Sequence, residues 1–368
     1  MGIDCCKETK PRSQNKSQKN NSIGNLNKDI RKNNIINNIS FDKYYITGTL
    51  QCLLYTLQLT KFFRNEYKEN KTKEISDKYY NIVRNLWNQK EPFSSQNFKS
   101  LIFNFYNLLE KNNIKNDSKE VIEFLFEKMN KELNNINDYE IISEEINDNS
   151  DKDEVFNLFF NNFKKTNNSI ISNLFYGIYE IKYQCNICRE TNYDYECFSF
   201  IELNLEKKVP LRFQKQDNWP MEININLIDC FDFNKNDHYV TEEKKANCSC
   251  GNKLKKYSKY LFSMPNYLII FLKRIDNNIY KINYPEKLDL TNYLIHNEYG
   301  QIFNLYAVIP LNNQGYNKNN IISYCKHPNN KKWYKYNENT VIECEENEFS
   351  DEDPYVLFYE LAKDENTI

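Results

Sequence analysis

Apolar residues in the first half of the chain recur at three- and four-residue spacing: Leu50, Leu53, Leu54 and Leu57, and again Val121, Phe124, Leu125 and Met129. That spacing marks one face of a helix, so residues from about 44 to 165 are expected to form a helical lobe. The acidic, Asn-rich run Ser143 to Glu154 has no apolar period and predicts a loop. From about residue 166 the pattern shifts to short runs of Tyr, Ile, Phe and Val, such as Tyr267-Leu268-Ile269-Ile270-Phe271-Leu272, which read as strands. Helices first and strands afterwards predict an α+β fold. Residues 1–33 are rich in Lys, Asn, Ser and Gln with almost no aromatics, and are expected to form a disordered arm, because such a segment cannot bury enough apolar surface to offset chain ordering.

Composition narrows the classes. The 368 residues include 28 Tyr and 24 Phe against 7 Gly, enough large side chains for a packed core. A formal net charge of -2 with both signs interspersed predicts no nucleic-acid partner, since that would need a clustered basic surface. The 11 Cys are odd in number and unevenly spread, and no apolar signal-like run precedes them, so a reducing, cytoplasmic compartment is expected rather than a disulfide scaffold. No run approaches the roughly 20 apolar residues of a membrane-spanning helix. Contact with a membrane surface would have to come from a lipid. The first residues, Met1-Gly2-Ile3-Asp4-Cys5-Cys6, offer a glycine for myristoylation and two thiols for palmitoylation, with Lys7, Lys10 and Arg12 nearby; residue 6 is Cys where the acylation pattern has Ser or Thr. An unmodified tail is the alternative.

Two cysteine pairs stand about sixty residues apart in turn-forming sequence: Cys185-Asn-Ile-Cys188 and Cys248-Ser-Cys250-Gly251. Four thiolates in two close pairs match a structural, tetrahedral zinc site; four free thiols are the plainer alternative. Cys52, Cys197, Cys230, Cys325 and Cys344 stand singly in apolar surroundings, where most are expected to serve as small core residues.

A series of further blocks follows in a fixed order. Ser172-Asn-Leu174-Phe175-Tyr-Gly177, Cys185-x-x-Cys188 and Phe198-Ser199-Phe200-Ile201-Glu-Leu203 come first, then Ile228-Asp229-Cys230-Phe231 and the second cysteine pair. Met264-Pro265-x-x-Leu268 through Lys273-Arg274, Tyr284-Pro285-x-x-Leu288-Asp289-Leu290, Trp333-x-Lys335-Tyr336 and Tyr355-Val356-Leu357-Phe358-Tyr359 complete it. In content and order these resemble the ubiquitin-specific protease family over roughly residues 34–362. The resemblance implies a papain-like fold of helical thumb (about 41–165), then mixed palm and zinc-ribbon-like β fingers (166–362), followed by a short tail at 363–368. It implies fingers that grasp ubiquitin, with the ubiquitin tail running between thumb and palm. Glu120-Val-Ile-Glu123-Phe124-Leu125 resembles a thumb helix of that family, but Ser118 and Lys119 stand in place of its two glutamines.

The residues that would carry catalysis depart from the family pattern. Cysteine attack needs a thiolate, a base and a group that orients the base. Counting back from Leu50-Gln51 puts Tyr44 at the nucleophile position; aligning Ile36-Asn37-Asn38-Ile39 with the family's Leu-x-Asn-Leu makes it Lys43. The oxyanion asparagine is matched by Asn38 in one alignment and replaced by Ile39 in the other. The family's Gly-His-Tyr-x-x-Tyr is Asn319-Asn320-Ile321-Ile322-Ser323-Tyr324 here, and Asn320 takes up no proton. The orienting position is Asn337. Cys52 lies eight residues past Tyr44, about 12 Å along a helix, beyond the roughly 3 Å of proton transfer. Of the three His, His238 falls in the fingers, His296 after the Leu288-Asp289-Leu290 strand, and His327 seven residues past Asn320. The expected function is therefore that of a pseudoenzyme which binds ubiquitin or a ubiquitin-like protein without cleaving it. A scaffold that has lost ubiquitin, or a deubiquitinase with a non-standard site, are the alternatives.

Overall fold

The computed structural model describes residues 44–87, 95–114, 117–135, 151–205, 223–232, 238–240, 248, 250–251, 255–273, 280–295, 300–311, 321–337, 341–350 and 352–362. Seven α-helices come first among these residues: α1 (Tyr44–Leu54), α2 (Leu57–Asn65), α3 (Glu74–Trp87), α4 (Ser95–Lys111), α5 (Ser118–Leu133), α6 (Lys152–Thr166) and α7 (Ile170–Phe175). The apolar stripe predicted for the first lobe faces inward: Leu50, Leu53, Leu54, Val121, Leu125 and Met129 are all buried in one cluster. Fully burying a side chain of this size stabilises the fold by roughly 1.5–3 kcal/mol, so the stripe sets which way each helix turns.

Two helix boundaries differ from the sequence reading, and a cap explains each. Helix α6 starts at Lys152, inside the run expected to be loop, because Asp151 accepts the amides of Asp153 and Glu154 at 2.7 and 2.9 Å. An acidic N-cap looks like loop in composition while it serves a helix start. Helix α7 carries the helical lobe past residue 166, started by a reciprocal capping box between Ser169 and Ser172.

The strands are β1 (Gly177–Cys185), β2 (Thr191–Phe198), β3 (Ile201–Asn204), β4 (Ile223–Asn226), β5 (His238–Val240), β6 (Lys255–Ser263) and β7 (Tyr267–Lys273), followed by β8 (Tyr280–Asn283), β9 (Lys287–Asp289), β10 (Ile302–Pro310), β11 (Ile321–Lys326), β12 (Trp333–Asn337), β13 (Val341–Cys344) and β14 (Pro354–Leu361). Among the described residues β2-β1-β6-β5 form one sheet, and β13-β12-β11-β10-β14-β7-β3 with β9 beside β10 form a larger one; β4 and β8 pair in parallel. The first sheet is the fingers. Gly177 opens it where a side chain has no room: a Cβ there would lie 2.3 Å from the Phe198 ring and 2.7 Å from the Ser263 carbonyl.

The larger sheet is buried on both faces. Along β7, Tyr267, Ile269 and Phe271 join the core shared with the thumb helices, while Leu268, Ile270 and Leu272 join a second core on the far face. Alternation of this kind follows from the two-residue period of a strand, and burial on both faces explains the unbroken apolar run. On β10 the alternation breaks. A register shift between Leu305 and Ala307 puts Tyr306 and Ala307 both on the thumb side, as a β-bulge does.

Candidate functional site

The fingers end in the four cysteines. Strand β1 finishes at Cys185, and a tight turn with Arg189 at φ 65° brings Cys188 back beneath it, tied by Arg189 N–H donating to Cys185 O at 3.2 Å. Cys185 also accepts the Ile187 N–H on its sulfur at 3.4 Å. Facing this turn, Gly251 at φ 79° donates its N–H to Cys248 O at 2.8 Å, folding Cys248 and Cys250 toward the first pair. The sulfurs of Cys185 and Cys250 are 3.7 Å apart and those of Cys188 and Cys248 3.2 Å, with all four within 4.8 Å of one another. Tetrahedral coordination at about 2.3 Å puts ligand sulfurs roughly 3.8 Å apart, so this cluster can hold a metal ion. The single residue between Cys248 and Cys250 does not prevent it. Glu190 accepts from Cys248 Sγ at 2.9 Å and pushes that thiol's pKa up, a proton that metal binding would have to displace.

The thumb and palm meet where α1 packs on the palm strands. Helix α1 begins at Tyr44, and its body packs on β10 and β11. Strand β11 begins at Ile321, the residue after Asn320, and Ile321 pairs across the ladder with Asn337, the last residue of β12. The Ile321–Asn337 pair closes one end of the β11–β12 hairpin. Asn320 itself lies outside the described residues, as do Asn38, Lys43, His296, Gly2, Cys5 and Cys6.

The other thiols and imidazoles are placed elsewhere. Cys52 is fully buried in the thumb–palm core, its sulfur 4.0 Å from that of Cys325, which in turn lies 4.0 Å from Ser323 Oγ. Burial, and then the neighbouring Cys325, push the Cys52 pKa well up. Cys230, Cys325 and Cys344 are buried as expected, whereas Cys197 is exposed on β2. His327 sits past the far end of β11, since Lys326 already pairs with Trp333 rather than with the Asn337 end. It is buried, with its ring edge-on to Tyr55 and Tyr334, and its Nδ1 accepts the amides of Asn329 and Asn330 at 3.3 and 3.4 Å. It holds a turn. His238 heads β5 in the fingers opposite Tyr257.

A set of hydroxyl contacts across the seam was not anticipated from sequence. Thr56 Oγ1 and Tyr306 Oη are 2.8 Å apart, the Tyr55 and Tyr336 hydroxyls touch, and Tyr267 Oη accepts the Gln58 N–H at 3.4 Å while lying 2.9 Å from Glu360 Oε1 of the neighbouring palm strand. Tyr55, Tyr267 and Tyr306 stand in apolar runs, which signal core but say nothing of what a hydroxyl will reach.

Comparison with known proteins agrees with this geometry. The family model described as ubiquitin carboxyl-terminal hydrolase matches residues 37–359. Ubiquitin carboxyl-terminal hydrolase Usp2 of Drosophila melanogaster is 22% identical over 86% of this chain and 34% of its own length. Human ubiquitin carboxyl-terminal hydrolase 2 is 24% identical over 86% of this chain and 53% of its own, so the chain spans about half or less of these relatives. Among solved structures, the SAGA DUB module of Ubp8, Sgf11, Sus1 and Sgf73 bound to monoubiquitin superposes with a TM-score of 0.60 at 16% identity, covering 88% of this chain and 67% of that one. The fold is thus the papain-like one of thumb, palm and fingers. With the family model matched from the start of the thumb to the last palm strand, the chain belongs to the ubiquitin carboxyl-terminal hydrolase family.

Proposed function

We propose that this chain is a member of the family that binds ubiquitin, or a ubiquitin-like protein, without cutting it. The observation that supports the reading is the Ile321–Asn337 pairing at one end of the hairpin whose strand β11 packs on α1, because the family pattern puts its triad at Tyr44 or Lys43, Asn320 and Asn337, none of them a thiol or an imidazole. A phenol with an unperturbed pKa of about 10 is a poor nucleophile without a base, and an amide accepts no proton from one. Neither Cys52 nor His327 compensates, since the thiol is sealed in the core and the imidazole is held at the far end of β11. The relatives carry the names of hydrolases, so the reading separates this chain from them at the site and not in the fold.

Zinc held by Cys185, Cys188, Cys248 and Cys250 belongs to the same proposal, as a structural ion that ties the two fingertip turns together. Acylation at Gly2, Cys5 or Cys6, giving a cytoplasmic protein on a membrane surface, rests on the residues of the arm alone. A scaffold that no longer binds ubiquitin is favoured by one observation, Lys119 standing in place of a family glutamine and already engaged by Glu202.

The test pairs two measurements on the full chain. Isotope-labelled ubiquitin titrated with the protein is expected to show saturable shifts that include its C-terminal tail, while a fluorogenic ubiquitin C-terminal amide stays uncut. Turnover abolished by Tyr44→Phe or Cys52→Ala would establish a non-standard enzyme. Absence of any shift at millimolar ubiquitin would leave the scaffold.

A further inference from the structure

Of the Asp, Glu, Lys and Arg side chains among the described residues, only Glu180 and Lys255 are buried, at 3% and 2% exposure. Both belong to the fingers. Glu180 has its counter-ion: the Lys152 ammonium lies 2.8 Å from it, and the Tyr195 hydroxyl donates to it at 3.1 Å. Lys255 does not. Its Nζ donates to the neutral side-chain carbonyl of Asn192 at 2.8 Å, and no carboxylate among the described residues pairs with it. A buried cation without a counter-charge is costly.

The register of the sheet shows what lies beside it. Lys255 opens β6 opposite Cys185, the last residue of β1, and Asn192 on β2 stands opposite Tyr183. Directly paired residues share a face, as do residues two apart on one strand, so Lys255, Cys185, Tyr183 and Asn192 all project from one face of the fingers. Since β1 lies between β6 and β2, the Lys255 side chain crosses β1 to reach Asn192, on the face that carries the buried Cys185. Four thiolates around one divalent ion leave two negative charges uncompensated.

We propose that Lys255 is the counter-cation of a metal–thiolate centre at Cys185, Cys188, Cys248 and Cys250, the buried ammonium and the loaded cluster offsetting each other's charge. The statement rests on the metal-binding reading above. Lys255 is not a ligand; it acts by charge from beside the cysteines, where screening by water and salt is weak.

The test uses the full chain and two variants, Lys255→Met and Lys255→Arg. Cobalt is titrated into each metal-free protein, with the thiolate bands giving the affinity, and urea unfolding of the same metal-free proteins gives their stability. Lys255→Met is expected to bind cobalt about 10- to 100-fold more weakly, the range over which groups around metal ligands tune affinity. Its metal-free form is expected to unfold at an equal or higher urea concentration, because a neutral side chain of similar volume removes an uncompensated buried charge. Lys255→Arg, which keeps the charge, is expected to retain more of the affinity. Equal cobalt affinity in the parent and Lys255→Met overturns the counter-cation and leaves the metal in place. Equal loss in both variants, or weaker binding by a Lys255→Met that is also less stable without metal, assigns the side chain to packing and overturns its role as a charge. Absence of cobalt bands in the parent protein overturns the metal reading itself, and the proposal with it.

Discussion

The sulfurs of Cys52 on α1 and Cys325 on β11 lie 4.0 Å apart in the core that thumb and palm share, both fully buried. Two thiols so placed behave as small apolar residues, since reactivity needs a thiolate and access. In native protein, iodoacetamide is therefore expected to leave Cys52 and Cys325 unmodified while it labels the exposed Cys197, with mass spectrometry of peptides as the readout. Cys52→Ala should cost about 1–2 kcal/mol by denaturant titration, as a small cavity does. Rapid native labelling of Cys52 would show that the seam opens freely.

Burial also fixes how stability changes at alkaline pH. The Cys52 thiol and the Tyr306 and Tyr359 phenols are all held well above their ordinary values, chiefly by desolvation, and Cys344 is pushed up to about 12. Above the unfolded pKa of each group the unfolded chain binds fewer protons than the native one, so stability falls as pH rises. The contribution is fully present below about pH 8.5 for the thiols and about pH 10 for the phenols, with a loss of at most about 1.4 kcal/mol per pH unit per group beyond that. Urea midpoints measured from pH 7 to 11 are expected to decline, with a shallower slope in Cys52→Ala.

Much of this arrangement can be read from the residues before any coordinates. The run Tyr267 to Leu272 announces a strand, and the cysteine spacings announce a cluster whose sulfurs lie within 4.8 Å of one another. What stayed hidden depends on contacts between distant segments. Asp151 reads as loop until its carboxylate is seen capping α6. Nothing in the sequence shows the bulge that turns Tyr306 toward Thr56, or the pairing of Lys119 with Glu202, 83 positions away.

Removing a metal held by the fingertip cysteines should act locally. Cys185 is the buried member of the cluster and ends β1, whereas Cys188 and Cys250 are exposed. Cobalt added to the metal-free protein is expected to give the visible thiolate bands of tetrahedral coordination, and Cys185→Ser to abolish them. Chelation should raise hydrogen exchange in β1, β2 and β6 near the turns while β7 and β14, in the palm core, keep their protection. Equal loss of protection in the palm would mean that fingers and palm unfold together.

Restoring the triad residues tests the reading of the site from the opposite direction. Position 44 is the first residue of α1, where the positive end of the helix dipole favours a thiolate. Tyr44→Cys alone should thus react with a ubiquitin bearing a C-terminal electrophile, given that ubiquitin binds, yet turn over no amide, because nothing supplies the leaving amine with a proton. Adding Asn320→His supplies an imidazole next in sequence to Ile321, whose partner in the ladder is Asn337, and general acid–base catalysis is worth about 10²–10⁴ in rate. The double variant is expected to cleave a ubiquitin C-terminal amide slowly, and Asn337→Asp on that background to speed it further. If the double variant forms no adduct while ubiquitin still binds, the tail does not reach position 44; an adduct with Lys43→Cys instead would assign the nucleophile position to residue 43.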